Sequence, residues 1–154
     1  MYRILVVSDS HGNTEYIKKQ INNIEKFDLI VHLGDYLRDA QMLKDEFIKY
    51  KFEIIKGNCD AYAYGEAEKI LDVCGKKIYI THGDKYSVKT GYDRIIYRGI
   101  ELKADCVLFG HTHRAVNFKE NGILFLNPGA AKDGCCGIIE IEDEKIRGCV
   151  LENL

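Results

Sequence analysis

Five short apolar runs in this chain each break off into a polar cluster with a glycine in or beside it, and this repetition constrains the fold more than any other feature. Ile4–Val7 gives way to Ser8-Asp9-Ser10-His11-Gly12, Leu29–Leu33 to Gly34-Asp35, and Phe52–Ile55 to Gly57-Asn58-Cys59-Asp60. Lys77–Thr81 runs into His82-Gly83-Asp84, and Cys106–Phe109 into Gly110-His111-Thr112-His113. Apolar runs this short, bounded by turn residues, read as buried strands rather than helices. Between the first three lie segments of helical spacing. Asn13 or Thr14 caps a helix carrying Ile17, Ile21 and Ile24, and a second helix covers Leu37 to Tyr50. Strand–helix–strand units of this kind build parallel sheets with right-handed crossovers.

The second half is mostly strand. Glu68–Cys74 and Lys77–Thr81 flank Gly75-Lys76 as a hairpin, and one helix follows from about Thr90 to Lys103 with Ile95, Ile96, Ile100 and Leu102 apolar. Ala115–Phe118, Ile123–Leu126, Gly137–Ile141 and Ile146–Leu151 complete the strands, divided by turns such as Glu120-Asn121-Gly122 and Glu142-Asp143-Glu144. No repeat or linker interrupts the chain, so residues 1–154 are expected to form one domain of two packed sheets flanked by helices. At 154 residues and 46% hydrophobic content, its core needs neither disulfides nor a structural metal.

Charge narrows the partners. The 22 Lys+Arg are mixed with 24 Asp+Glu, for a net charge of -2. Such a surface does not hold nucleic acid in bulk through its phosphates, although a short oligonucleotide stays open. Lys18-Lys19 and Lys49/Lys51 read as solvated faces. No apolar run approaches the roughly 18 residues of a membrane span. Met1-Tyr2-Arg3 leads directly into Ile4, without the features of an export signal. A cytoplasmic chain without membrane contact is the expectation. Cys59, Cys74, Cys106, Cys135, Cys136 and Cys149 form no C-x-x-C pair and read as reduced thiols. Cys74, Cys106 and Cys149 sit in apolar strand segments and are expected in the core.

The polar clusters all follow strands, where open α/β sheets place their sites. In extended backbone, residues i and i+2 share a face, so Asp9 with His11, and His111 with His113, can converge. Carboxylate, imidazole and amide oxygen together suit divalent transition metals. Asp9, His11, Asp35, Asn58, His82, His111 and His113 are seven potential ligands, enough for two ions with an aspartate shared. Each motif alone has a plainer reading, as a polar loop that caps a helix or satisfies a turn. His82 alone would pass for a hydrogen-bonded core histidine. Their occurrence in order, each at a strand end, is what carries the metal reading. His32, inside an apolar strand, reads as structural. Arg114, following His113, could touch a phosphate oxygen but reads first as a solvated strand position; Arg94 and Arg98 read as surface charge, and the ten tyrosines as packing.

The ordered set D-S-H, G-D, G-N-C-D, T-H-G and G-H-T-H resembles the metallophosphoesterase (calcineurin-like) superfamily. The compact length and the G-N-C-D variant resemble its small YfcE-type phosphodiesterase branch. The resemblance runs from Asp9 through Gly129 and includes Asn127-Pro128-Gly129. It implies an α/β fold of four layers, an αββα sandwich with two mixed sheets flanked by helices, and a binuclear metal centre. By the same resemblance Asp9, His11 and His113 hold one ion, Asn58, His82 and His111 hold the other, and Asp35 bridges them.

Two positions depart from the wider superfamily. Arg38 stands at the last position of the usual G-D-x-x-D, leaving Asp39 as a helix N-terminal acid favoured by the dipole. Cys59 replaces the histidine of the usual G-N-H motif, which touches the acid/base part of the mechanism but not metal binding.

The activity implied is hydrolysis of a small phosphodiester, with two divalent ions activating a water for attack on phosphorus. His111, Asn58 and Cys59 are the catalytic candidates. No G-x-S-x-G or Cys–His pattern supplies a protein nucleophile. Mn or Ni suits the ligand set, and Fe or Zn is accepted by it too. Alternatives are a phosphomonoesterase or nuclease on the same metal pair, or a protein-interaction scaffold resembling the small retromer subunit. Complete ligands favour catalysis over the scaffold. A homo-oligomer stays open.

Overall fold

The structure is a computed structural model and describes residues 1–24 and 26–152. Strand β1 (Tyr2–Val7) pairs in parallel with β2 (Leu29–His32), and β2 with β3 (Lys51–Ile54); helices α1 (Glu15–Asn23) and α2 (Leu37–Glu46) make the two crossovers. The hairpin β9 (Cys135–Glu142) and β10 (Lys145–Glu152) returns antiparallel to β1, giving the order β10-β9-β1-β2-β3. The second sheet contains β4 (Glu68–Val73), β5 (Lys76–Thr81), β6 (Cys106–Leu108), β7 (Val116–Glu120) and β8 (Ile123–Asn127), ordered β4-β5-β6-β8-β7. Its three central strands β5, β6 and β8 are parallel, and α3 (Asp93–Glu101) connects β5 to β6.

Successive side chains of a strand face opposite ways, and that alternation builds the layers. Ile4 and Val6 of β1 point between the sheets, where they share a core with Val31, Ile78, Ile80, Leu108 and Leu126. Leu5 and Val7 face outward onto Ile17 and Ile21 of α1 and Leu43 of α2. Beyond the second sheet, Tyr79, Val107 and Phe125 share a cluster with Ile95 of α3. Four layers result: helix, sheet, sheet, helix. Each such aliphatic side chain fully buried contributes about 1.5–3 kcal/mol. The parallel strands β1, β2, β3, β5 and β6 therefore end on one edge, and their loops meet there.

Helices α2 and α3 are both shorter than their apolar spacing predicts. α2 stops at Glu46 because Phe47 leaves helical geometry and a turn, closed by the Tyr50 amide on the Phe47 carbonyl, returns the chain into β3. α3 begins at Asp93, since Gly91 sits at φ +153, a conformation no helix contains. Ile24 has left α1 for extended backbone, and Thr14 stands at the N-cap without a side-chain capping bond. The expectation for the thiols needs correction. Cys106 is buried in β6, but Cys74 lies exposed in the β4–β5 turn and Cys149 exposed on the edge strand β10. Their neighbours are apolar in sequence, but neither position faces the core. No helix among the described residues is long and apolar enough to cross a membrane.

Candidate metal centre

Backbone bonds stitch the loops together before any side chain acts. The Asp9 amide donates to Gly34 O at 2.9 Å, Ser10 N to Asp35 O at 3.0 Å, Gly110 N to His82 O at 2.9 Å, and Ala131 N to Ser8 O at 2.8 Å. Five of the seven candidate ligands lie in the left-handed region: Asp9 (φ 55), His11 (φ 46), Asp35 (φ 49), His111 (φ 73) and His113 (φ 60). Non-glycine residues seldom adopt it, at a cost of order 1–3 kcal/mol each, and such strain gathers at functional sites. Two glycines keep the loops close enough. A Cβ at Gly110 would strike Ser8 Oγ, and one at Gly57 would strike Asp35 Oδ1.

The donor atoms converge. Asp9 Oδ1 lies 3.3 Å from His113 Nε2, 3.7 Å from His82 Nε2 and 3.8 Å from His11 Nε2. Asp35 Oδ2 lies 3.4 Å from His82 Nε2 and 3.8 Å from His11 Nε2. Asp9 with His11 and His113, and Asp35 with Asp9 and His82, form compact ligand groups. A third group joins His11, Asp35 and Cys59, so the thiol also faces the cluster. His111 stays outside these groups but packs its ring against His82, centroids 5.1 Å apart. Asn58 is exposed beside the cluster, its amide directed at Cys59 Sγ 3.9 Å away.

Three atoms at the centre, Asp9 Oδ1, His11 Nε2 and His82 Nε2, are buried without a hydrogen-bond partner. Leaving such a group unsatisfied costs about 1–3 kcal/mol, so a pocket that gathers three of them is built for something else. Bonds of about 2.0–2.2 Å from an ion to its N and O ligands place those ligands roughly 3.3–3.5 Å apart in tetrahedral geometry. The separations here fit a divalent cation. His82 Nδ1 donates to Leu33 O at 2.7 Å, which leaves Nε2 as the lone-pair nitrogen facing the cluster.

Electrostatics follow from the crowding. Burial alone would raise the Asp35 carboxyl, but the His82 imidazole and the Cys59 amide, 2.9 Å from Oδ1, hold it well below the usual carboxylate range. Burial lowers His82, yet Asp35 and Asp9 outweigh it and raise its proton affinity. Burial, then His82 and Lys89, lower that of His111. Burial and the Asp35 carboxylate push the Cys59 thiol up to about 11.

Several residues that the motifs do not single out hold the candidate ligands in place. Ser8 Oγ donates to Asp9 Oδ2 at 2.6 Å, and His111 N donates to the same oxygen at 3.1 Å. Asp60 accepts from three backbone amides, Asp35 at 2.9 Å, Gly57 at 2.9 Å and Leu37 at 2.8 Å, tying the G-D loop to the G-N-C-D loop. Asn127 does the same for the G-H-T-H loop, donating to Gly110 O and Thr112 Oγ1, both at 3.0 Å, and accepting from Gly129 N at 2.9 Å. The last residue of G-N-C-D and the asparagine of Asn127-Pro128-Gly129 were visible in sequence, but their partners lie on other loops.

His32 is structural, as its place in β2 predicts. Gly34 N donates to His32 Nδ1 at 3.1 Å, so Nε2 carries the proton and donates to Ser10 Oγ at 3.0 Å. Ser10 Oγ in turn donates to Asp39 Oδ2 at 2.7 Å, and Gly12 N to the same oxygen at 2.7 Å. Asp39 is thus more than the helix N-terminal acid expected of it. It sits in the first turn of α2 but is buried, and its carboxylate anchors the loop that carries Asp9 and His11. Arg98 pairs with Glu101 on the α3 surface and Arg94 donates to Ser87 Oγ, away from the cluster.

Carboxylates and imidazoles gathered at the carboxyl edge of a two-sheet α/β sandwich define a metal-dependent class of hydrolases. The chain belongs to the calcineurin-like phosphoesterase superfamily, whose domain model matches residues 2–144. It is 33% identical over 130 residues to the probable metallophosphoesterase YsnB of Bacillus subtilis, covering 84% of this chain and 75% of that protein. Phosphodiesterase MJ0936 of Methanocaldococcus jannaschii is 28% identical over 175 residues, covering 97% of this chain and 99% of the relative. A predicted phosphoesterase from Streptococcus pneumoniae, with known crystal structure, superposes at a TM-score of 0.82 with 29% identity, over 98% of this chain and 89% of that one. The vacuolar protein sorting 29 structure from Cryptosporidium parvum, at TM-score 0.77 and 18% identity over 99% and 97% of the two chains, shares the fold alone. The phosphoesterase class and the sandwich expected from the motifs agree with these findings.

Proposed function

We propose that this phosphoesterase hydrolyses small phosphodiesters with two divalent ions, Mn or Ni in first place and Fe or Zn as alternatives. The observation that carries the reading is the trio of buried, unpartnered donor atoms on Asp9, His11 and His82. Asp9, His11 and His113 would hold one ion, and His82, His111 and Asn58 the other. Asp35 stands between them, its Oδ2 within 3.8 Å of His11 Nε2 and 3.4 Å of His82 Nε2. When bound, the ions supply a water of lowered pKa and positive charge against the phosphoryl oxygens. The chain's own part is orientation. Ser8 and the His111 amide fix Asp9, Asp60 fixes the Asp35 backbone, and the Leu33 carbonyl fixes the His82 tautomer. His111, whose proton affinity burial lowers, and Asn58 would flank the phosphoryl group. Cys59, a short and weakly hydrogen-bonding thiol where an imidazole would reach further, offers little to a departing alkoxide.

The diester preference is supported by the name of the Methanocaldococcus relative. A scaffold reading draws on the shared fold with vacuolar protein sorting 29. Against it, a scaffold gains nothing from leaving three central polar atoms unpaired. The test is a chelated sample assayed with bis(p-nitrophenyl) phosphate and p-nitrophenyl phosphate before and after adding Mn or Ni. Activity should appear only with metal and favour the diester. Undiminished activity in chelated protein, or faster monoester hydrolysis, refutes the proposal.

A further inference from the structure

Next to the loop of His111 and His113 lies a cavity of about 300 Å³, lined by Val88, Lys89, Tyr92, Thr112 and Arg114. That is the lower end of the range for small-ligand pockets. Val88 is buried, and the Tyr92 ring is held against Phe109 and Phe118 at centroid distances of 5.6 and 5.5 Å, so this side of the cavity is rigid and apolar. Lys89 and Arg114 are exposed, and among the described residues neither forms an ion pair with a carboxylate. Asp84, on the same loop as Lys89, does not line the cavity. Two uncompensated cations in one cleft stand out on a chain with a net charge of -2.

Its position is as informative as its charge. Thr112 separates His111 from His113, so the cavity shares a loop with two candidate ligands. Asn127 holds Thr112 Oγ1 at 3.0 Å, and Thr112 Oγ1 also accepts from Arg114 N at 3.1 Å, which fixes the root of Arg114 relative to that loop. Arg and Lys over an apolar wall match a phosphate carried on an organic arm: the guanidinium binds oxygens in a fork, and the ammonium adds a point charge.

We infer that this cleft is an anion subsite, and that the preferred substrate is a phosphodiester with a further phosphate on one of its arms. The inference rests on the phosphodiesterase reading above. A matched pair of probes isolates it: the p-nitrophenyl ester of thymidine 5′-phosphate, and the same ester with an added 3′-phosphate. The metal-loaded enzyme should hydrolyse the 3′-phosphorylated ester with a KM lower by about tenfold, the advantage shrinking as salt rises because the cleft is open to solvent. In Lys89→Ala/Arg114→Ala the KM ratio should fall towards one while metal counting still finds two ions. Equal KM values in the unaltered enzyme overturn the inference, as does an advantage that survives the double substitution. Failure to cleave either ester, or bis(p-nitrophenyl) phosphate, would instead strike the phosphodiesterase reading itself.

Discussion

Asp39 separates two physical accounts by magnitude. As a first-turn acid acting on the helix dipole alone, it would contribute about 0.3–1 kcal/mol, and Asp39→Asn and Asp39→Ala would lose about the same amount. The structure instead has its buried Oδ2 accept two bonds of 2.7 Å, from Ser10 Oγ and Gly12 N. Removing the acceptor strands two donors, each at about 1–3 kcal/mol, so Asp39→Ala should lose roughly 3 kcal/mol. Asp39→Asn keeps the one oxygen that both donors share and gives up only its charge, and since bonds to an ionised acceptor are roughly twice as strong as neutral ones it should lose about half of that. Urea unfolding in the presence of chelator reads the difference directly: with a slope near 2 kcal/mol/M, the Ala midpoint should fall by about 1.5 M. Because the bonds anchor the loop bearing Asp9 and His11, Asp39→Ala should also weaken metal binding. Equal losses below about 1 kcal/mol in both variants, with metal affinity unchanged, would refute the anchoring role.

Asp35→Ala should lower metal occupancy at both positions and Asn58→Ala mainly at one; two ions retained by Asp35→Ala in metal analysis would show the bridge misassigned. Burial drives His32 from its usual 6.5 down to about 4. Between these values the unfolded chain binds a proton that the folded chain refuses, so stability is full above pH 6.5 and falls as pH drops towards 4, by up to about 3 kcal/mol. Denaturation of chelated protein across that window, compared with His32→Gln, should show the slope flatten in the variant; parallel curves would count against it. Cys59→Ala should cost less than tenfold on aryl diesters, and Cys59→His should help poorer leaving groups, since an imidazole donor contributes typically 10²–10⁴-fold to such steps. A loss above a hundredfold in Cys59→Ala with both metals bound would make the thiol a catalytic group.

The motifs were legible because they are local. Each pairs a strand with the loop that follows it, and strand periodicity with glycine punctuation marks both within a dozen residues. The strand positions and the family could be read from that alone. Helix ends were less legible: Phe47 and Gly91 end their helices through turns that apolar spacing does not register. Nor could sequence show which thiols reach the core, since Cys74 and Cys149 are placed by a turn and a sheet edge rather than by their neighbours. The geometry of the candidate site comes only from tertiary structure. Parallel pairing carries the ends of β1, β2, β3, β5 and β6 to one edge, and five ligands take left-handed backbone that no single-residue propensity predicts. Bonds from Ser8, Asp39, Asp60 and Asn127 secure those loops, and most of them cross between segments far apart in the chain. Residue chemistry is a property of the sequence; the distances that gather Asp9, His11, Asp35, His82 and His113 into one candidate ligand cluster depend on long-range contacts that only the folded chain supplies.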